Sequence, residues 1–242
     1  MNKWMLCILV WGLFSCKKEN SCLHSVGNIQ SEKREVSNFY SLMIESDIDV
    51  ELIQDTVSFI TVISGKNIIP HIETEVKNGQ LLISNRNKCN FLRKYDYEKK
   101  VEVHFISLTN IEIDGHTGKL YASDTIQADT LYMNIRNAAS EIDLTLKAAK
   151  IKIDNHNGVS DLLLKGYSEL AYYYHHGYGR YDALNLYADQ IYAWNNNTGD
   201  LLVYTNNLLD VQITYTGDVY YKGNPAKIIQ RIKSSGKLIK WP

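Results

Sequence analysis

One pattern recurs six times between residues 111 and 221: a few alternating apolar residues, then a polar turn built from Asn, Asp, His and Gly. The turns centre on Asp114-Gly115, Asn137-Ala138, Asn155-His156-Asn157-Gly158, His175-His176-Gly177, Asn195-Asn196-Asn197 and Tyr215-Thr216-Gly217. Taking Ile113, Ile135, Ile153, Tyr173, Ala193 and Ile213 as the residues ahead of the turns gives steps of 22, 18, 20, 20 and 20. A fixed period near twenty constrains the fold strongly. A unit that short cannot bury its own apolar face, so units must stack on one another. Each period holds two or three short strands, for example 184–187, 191–194 and 201–204. Parallel pairing from rung to rung would stack the alternate inward residues into one core, with Leu131, Met133, Ile135, Ile142, Leu144 and Leu146 as candidates. Asn, Asp and Gly adopt unusual backbone cheaply, which a coil of this length needs wherever it bends. Stacked Asn side chains can also bond to the turns above and below. The polar turns are therefore read first as a structural device.

The residues ahead of the repeat start the same sheet. Ile48, Val50 and Leu52 alternate with Asp47, Asp49 and Glu51, the period of a half-buried strand. Runs 59–63, 71–76, 80–84 and 101–106 are further strands, and Asn78-Gly79 between two of them predicts a tight hairpin. Residues 85–100 are basic and irregular and read as a loop. No stretch has a helical period with caps. Seventeen tyrosines and three prolines suit a pleated surface. The predicted fold class is thus all-β: a parallel β-helix with rungs of about 20 residues, preceded by β-strands and a hairpin.

The first residues supply an address. Lys3 precedes an apolar run, 4–14, which is too short to cross a bilayer and typical of a signal segment. Leu13-Phe14-Ser15-Cys16 resembles the lipobox of bacterial lipoproteins. That resemblance implies cleavage after residue 15 and lipid on Cys16. The absence of Asp directly after the cysteine implies sorting to the outer membrane. Residues 16–35 are expected to be a lipidated tether, and 36–242 the folded domain. Cleavage removes one lysine and leaves 25 basic against 27 acidic residues. So even a balance argues against a phosphate-neutralising surface, and nucleic acid is not expected as a partner. Cys22 and Cys89 remain as a candidate disulfide in an oxidising envelope.

The order of features resembles the putative auto-transporter adhesin, head GIN domain family of Bacteroidetes envelope proteins. The matching residues are Val36-Ser-Asn-Phe39, Ile48-Asp-Val-Glu-Leu52, Val76-Lys-Asn-Gly-Gln-Leu-Leu-Ile83, Val101-Glu-Val-His-Phe105, Thr216-Gly-Asp-Val-Tyr-Tyr-Lys-Gly-Asn-Pro225 and Ser234-Ser-Gly236. The likeness covers residues 34–240. Where that family carries Gly-Ser-Gly turns, this chain has Asp114-Gly-His-Thr-Gly118, Asn155-His-Asn-Gly158 and Asn195-Asn-Asn-Thr-Gly199. The resemblance implies a right-handed parallel β-helix carried on a lipoprotein.

Candidate chemistry centres on Ala171-Tyr-Tyr-Tyr-His-His-Gly-Tyr-Gly-Arg-Tyr181. Aromatic rings beside polar groups stack on sugar faces, so Tyr173, His175, Tyr178, Tyr181, Tyr187, Tyr192, Trp194 and Tyr204 are candidate contacts for a glycan or peptide ligand. The plainer reading is that outward tyrosines stack rung on rung. His156, His175 and His176 sit at a similar phase but lack carboxylate support, so they read as exposed turn residues and no metal is expected. Asp154, Asp161, Asp182, Asp200 and Arg180 could serve a polysaccharide-acting enzyme, although Asp after a turn is common for backbone reasons. Nothing calls for a cofactor. Thr56, Thr125 and Thr130 follow Asp and precede an apolar residue, a pattern resembling envelope O-glycosylation sites. The expected function is that of a non-catalytic, membrane-anchored envelope protein binding a glycan or protein. The alternatives are a self-associating structural module and a polysaccharide-acting enzyme.

Overall fold

The computed structural model describes residues 25–87 and 97–242. Cys16, Cys22 and Cys89 lie outside them, as does the signal segment. The described chain is built from β-strands wound as a parallel solenoid of about seven turns. The N-terminal part contains β1 (Ile29–Glu35), β2 (Ser41–Glu45), β3 (Asp49–Gln54), β4 (Phe59–Gly65), β5 (Ile72–Lys77), β6 (Gln80–Asn85) and β7 (Lys99–Phe105). Next come β8 (Asn110–Asp114), β9 (Lys119–Ala122), β10 (Ile126–Arg136), β11 (Glu141–Asn155), β12 (Asp161–His175) and β13 (Tyr181–Asn195). The last turns are β14 (Leu201–Tyr204), β15 (Leu208–Ile213), β16 (Val219–Lys222), β17 (Lys227–Ile232) and β18 (Leu238–Lys240).

A full rung is clearest in β11. Ile142, Leu144, Leu146 and Ala148 are buried on one phase, and Ile151, Ile153 and Asn155 on the other. The alternation slips by one residue at 149–150, so the strand turns a corner there and presents an inner face on both arms. The same corner recurs at buried Ser168 and Ala188. The second bend is the polar turn. β10, β11, β12 and β13 pair in parallel, one rung to the next. Gly166 holds its place in this stack because its φ is +112° and a Cβ there would lie 2.0 Å from the Leu146 carbonyl oxygen.

The solenoid begins earlier than the sequence repeat. β2 and β3 pair in parallel with β8 and β9, so they form the rung beneath residue 110. β6 and β7 lie beneath them, also in parallel. Antiparallel β4, β5 and β1 then close this end over Ile60, Val62, Ile72 and Ile83. The hairpin forms as expected, with Asn78 and Gly79 at φ +51° and +75°. The tether reading of 16–35 fails for its last seven residues. Ile29–Glu35 pairs along the whole of β4, and Arg34 anchors it by donating to the carbonyls of Ile72 (2.6 Å) and Ile69 (3.1 Å). That run lacks apolar alternation because it is an exposed edge strand whose stability comes from its ladder.

The register corrects the sequence alignment of the rungs. Ile135 pairs with Asn155, not Ile153, and Asn195 pairs with Ile213. The true ladder runs Ile113, Ile135, Asn155, His175, Asn195, Ile213, Ile232. A slip of two residues keeps the inward phase, so the core prediction survives it; the identity of the ladder does not. Three of its rungs are polar and fully buried.

Candidate functional site

The second arms of β11, β12, β13, β15 and β17 lie side by side and carry an outward face. From rung to rung its two columns read Lys152, Tyr172, Tyr192, Asp210, Ile229 and Asp154, Tyr174, Trp194, Gln212, Arg231. Strand alternation puts these side chains outside while Tyr173, Ala193 and Val211 face the core. Tyr172 and Tyr192 stack at 5.0 Å with an interplanar angle of 16°. Tyr174 meets Trp194 edge-on, also at 5.0 Å. Above Tyr192 and Trp194 the columns drop to the smaller Asp210 and Gln212. Beside that step lies a depression of about 420 Å³, lined by Tyr172, Tyr174, Tyr192 and Trp194 and flanked by Lys152, Asp154, Asp210 and Arg231.

The rims are electrically balanced. Lys152 pairs with Asp154 at 2.7 Å, and Asp210 pairs with Arg231. Tyr132 donates to Asp154 at 2.9 Å, and burial followed by that bond pushes its phenol up to about 12. Trp194 remains 40% exposed. Its indole N–H donates to Thr214 Oγ1 at 2.8 Å, and Thr214 in turn donates to Asn196. The ring is thus held by its polar edge with one face toward solvent. Two fixed ion pairs and an amide beside flat rings can offer donors and acceptors to hydroxyl groups and apolar faces to C–H groups.

The eight residues expected to contact a ligand separate into four places. Tyr192 and Trp194 line the depression. Tyr187 and Tyr204 lie on the outer face of the first arm, in a ladder with Tyr167. Tyr178 is exposed at a turn. Tyr173, Tyr181 and His175 are corrections: all three are buried and unavailable to an external ligand. Tyr173 and Tyr181 pack together in the core at 5.3 Å, and small Ala171, Ala183, Ala188 and Ala193 make room around them. Burial raises both phenols well above their ordinary value. The groove side chains not singled out from sequence are Lys152, Asp210, Gln212 and Arg231, together with Tyr172 and Tyr174 from the cluster. Their signal was strand parity.

His175 also corrects the reading of exposed turn histidines. Its Nε2 accepts from Asn197 Nδ2 at 2.9 Å. The backbone N–H of Thr198 donates to the other end of that amide at 2.6 Å, which fixes its orientation. His175 therefore carries its proton on Nδ1, and burial pushes its pKa down to about 4. His116 is buried in the same way, between Ser140 Oγ and the Ile48 carbonyl, and burial lowers it too. Among the described residues, no group of three His, Cys, Asp or Glu side chains could hold a metal ion.

The polar turns do the structural work expected of them. Asn137 bonds to Asp114 at 2.9 Å and Asn157 to Asn137 at 2.7 Å, a ladder across three rungs. Asp161 and Asp200 accept the backbone N–H of Arg180 and Asp218 on the next rungs, and Asp182 accepts from Leu184 and pairs with Arg180. These carboxylates join rungs and order turns. Thr56 is bonded to Asp55 in an exposed loop, Thr125 is exposed, and Thr130 is half-buried in β10.

The family profile described as putative auto-transporter adhesin, head GIN domain, matches residues 38–225. The chain belongs to that family. Among solved structures, this head GIN chain is similar to a putative adhesin from Bacteroides fragilis, with 20% identity, a TM-score of 0.80, and coverage of 88% of this chain and 97% of that one. A putative adhesin from Parabacteroides distasonis is similar at 22% identity and TM-score 0.66, covering 89% and 98%. A putative lipid binding protein from the same species is similar at 19% identity and TM-score 0.65, covering 89% and 98%. These likenesses show the fold. No curated protein matches the chain. The family description points to a cell-surface or envelope location, and no helix among the described residues is long and apolar enough to cross a membrane.

Proposed function

We propose that this protein is a lipid-anchored, non-catalytic envelope adhesin whose ligand is an uncharged glycan seated on the aromatic shelf of Tyr172, Tyr192 and Trp194. The observation that carries the reading is the step from rings to short polar side chains at Asp210 and Gln212. It leaves an aromatic-lined depression, with Trp194 exposed, beside hydrogen-bonding groups held in place by ion pairing. Because each rim cation has its own carboxylate, the site has no net charge to offer an acidic ligand. Apolar C–H faces and hydroxyls fit such a surface; a strongly charged peptide does not.

The test is a glycan array probed with the chain from residue 17 onward. Trp194→Ala and Tyr192→Ala should each weaken retention at least about tenfold, or about 1.4 kcal/mol. Tyr187→Ala, on the other arm, should bind as the parent does. An array with no retained glycan, or equal retention by Trp194→Ala, would sink the proposal. The anchor is tested separately: Cys16→Ser should abolish metabolic lipid labelling, and persistent labelling would overturn it.

A further inference from the structure

The two ends of the solenoid differ. The N-terminal end is closed by antiparallel strands over a buried core. At the other end β17 pairs with β15 and has no further strand beside it among the described residues. Its register places Ile228, Gln230 and Ile232 above Leu209, Val211 and Ile213, all fully buried. Those three residues continue the inner row, yet Ile228 and Ile232 are 41% and 42% exposed. Solenoids ordinarily end in a polar capping unit, because an uncovered terminal rung offers both apolar side chains and unpaired backbone.

The backbone direction is fixed. Lys227 and Lys233 donate their N–H groups back to Asn207 and Ile213, each at 2.9 Å. Peptide groups alternate sides along a ladder, so Ile228, Gln230 and Ile232 aim their N–H and C=O groups outward from the open end. The charge there has one sign. Residues 219–242 contain six Lys or Arg and no Asp or Glu. Arg231 is paired with Asp210, whereas Lys227, Lys233 and Lys237 have no ion pair among the described residues.

We propose that the open edge of β17 takes up an extended strand of a partner protein in which apolar and acidic residues alternate. Its apolar side chains cover Ile228 and Ile232, its carboxylates meet the lysines, and its backbone completes the ladder, the mode of β-augmentation. The unpaired, directed backbone favours a peptide strand over an anionic lipid surface, which would require the lysines alone.

The probe is a short, fluorescently labelled peptide alternating Val and Glu, titrated into the chain from residue 17 onward and read by anisotropy. Saturable binding is expected, weakening as salt is raised. Gln230→Pro removes an outward N–H and no native bond, so it should weaken binding at least tenfold while leaving the thermal midpoint and glycan retention unchanged. Ile232→Lys should weaken binding as far by removing the apolar contact, and it serves if the proline variant fails to fold. No binding at about 1 mM peptide, equal binding of a peptide with its acids clustered at one end, or binding unaffected by either variant would overturn the proposal. A dimer dissolved by Gln230→Pro would also overturn it, by giving the edge to a second copy.

Discussion

Acid should loosen this solenoid from inside, at His175. The ring is fully buried, and its pKa is held at about 4 against an ordinary 6.5. Burial is the main cause, with the neighbouring His176 adding to it. The bond to Asn197 works in the same direction, since a proton on Nε2 would face an amide NH2 instead of a lone pair. The unfolded chain therefore takes up this proton before the folded one does. Stability from this group is complete above about pH 6.5 and is lost as pH falls from there toward 4. Linkage over that interval gives a loss of about 2 kcal/mol between pH 7.5 and pH 5, before most carboxylates titrate. The comparison variant is His175→Asn. Asn155 and Asn195 hold the paired positions on the adjacent rungs, so asparagine suits the ladder. Urea unfolding followed by circular dichroism at both pH values supplies the assay. The pH-dependent loss should be about 2 kcal/mol smaller in His175→Asn, whatever the variant's stability at pH 7.5. His116 contributes equally to both proteins and cancels. Parent and variant losing the same amount would refute the account.

Two further outcomes follow from the core. Tyr173 is buried and its hydroxyl has no partner among the described residues, so Tyr173→Phe should raise stability by about 1 kcal/mol, read as a higher urea midpoint; a drop of that size would show that the hydroxyl is satisfied. Gly166→Ala should lower stability by about 2–4 kcal/mol in the same assay, because it combines a left-handed φ with a Cβ in contact with the Leu146 carbonyl. A neutral result would mean that the corner is built differently.

The sequence reveals the solenoid because its period is enforced by stacking. The parallel ladder keeps the inward residues in line while the bends absorb rungs of 18 to 22 residues, so turn residues and inner residues recur together. What the period does not reveal is phase at the scale of two residues. Ile153 and Asn155 both face inward, and matching apolar with apolar aligned Ile153 with Ile135 when the ladder joins Ile135 to Asn155. That slip hides the buried column of Asn155, His175 and Asn195, and it leaves the turn histidines reading as exposed. The aromatic site is legible in part: Tyr192 and Trp194 are named correctly, while the choice of Tyr173 misses Tyr172 and Tyr174 by one residue. In Tyr172-Tyr173-Tyr174 the central ring stands in line with Ile153 and Ala193 and so belongs to the core, which leaves its neighbours for the outside. β1 is not legible for a different reason: an antiparallel edge strand with both faces polar carries no alternation to read.

Side-chain size, more than aromatic content, distinguishes a binding shelf from a structural stack on this surface. Tyr167, Tyr187 and Tyr204 also form a ladder, but Lys222 lies over its last ring at 4.8 Å and Asp189 accepts the Tyr167 hydroxyl. The other ladder stops beneath Asp210 and Gln212 and so leaves a step. Filling that step is a sharper test than removing a ring, because Trp194→Ala also breaks the bond to Thr214 and could loosen the arm. Gln212 stands directly over Trp194 in the register, about 4.8 Å away across the strands. Gln212→Trp would extend the ring column by one rung and occupy the depression. Stacking in that position contributes about 0.5–1.5 kcal/mol, so the variant should unfold at or above the parent's urea midpoint. Its glycan retention should nevertheless fall at least tenfold. Loss of binding without loss of stability places the ligand in the step itself, whereas full retention by a stably folded Gln212→Trp would show that the ligand sits elsewhere.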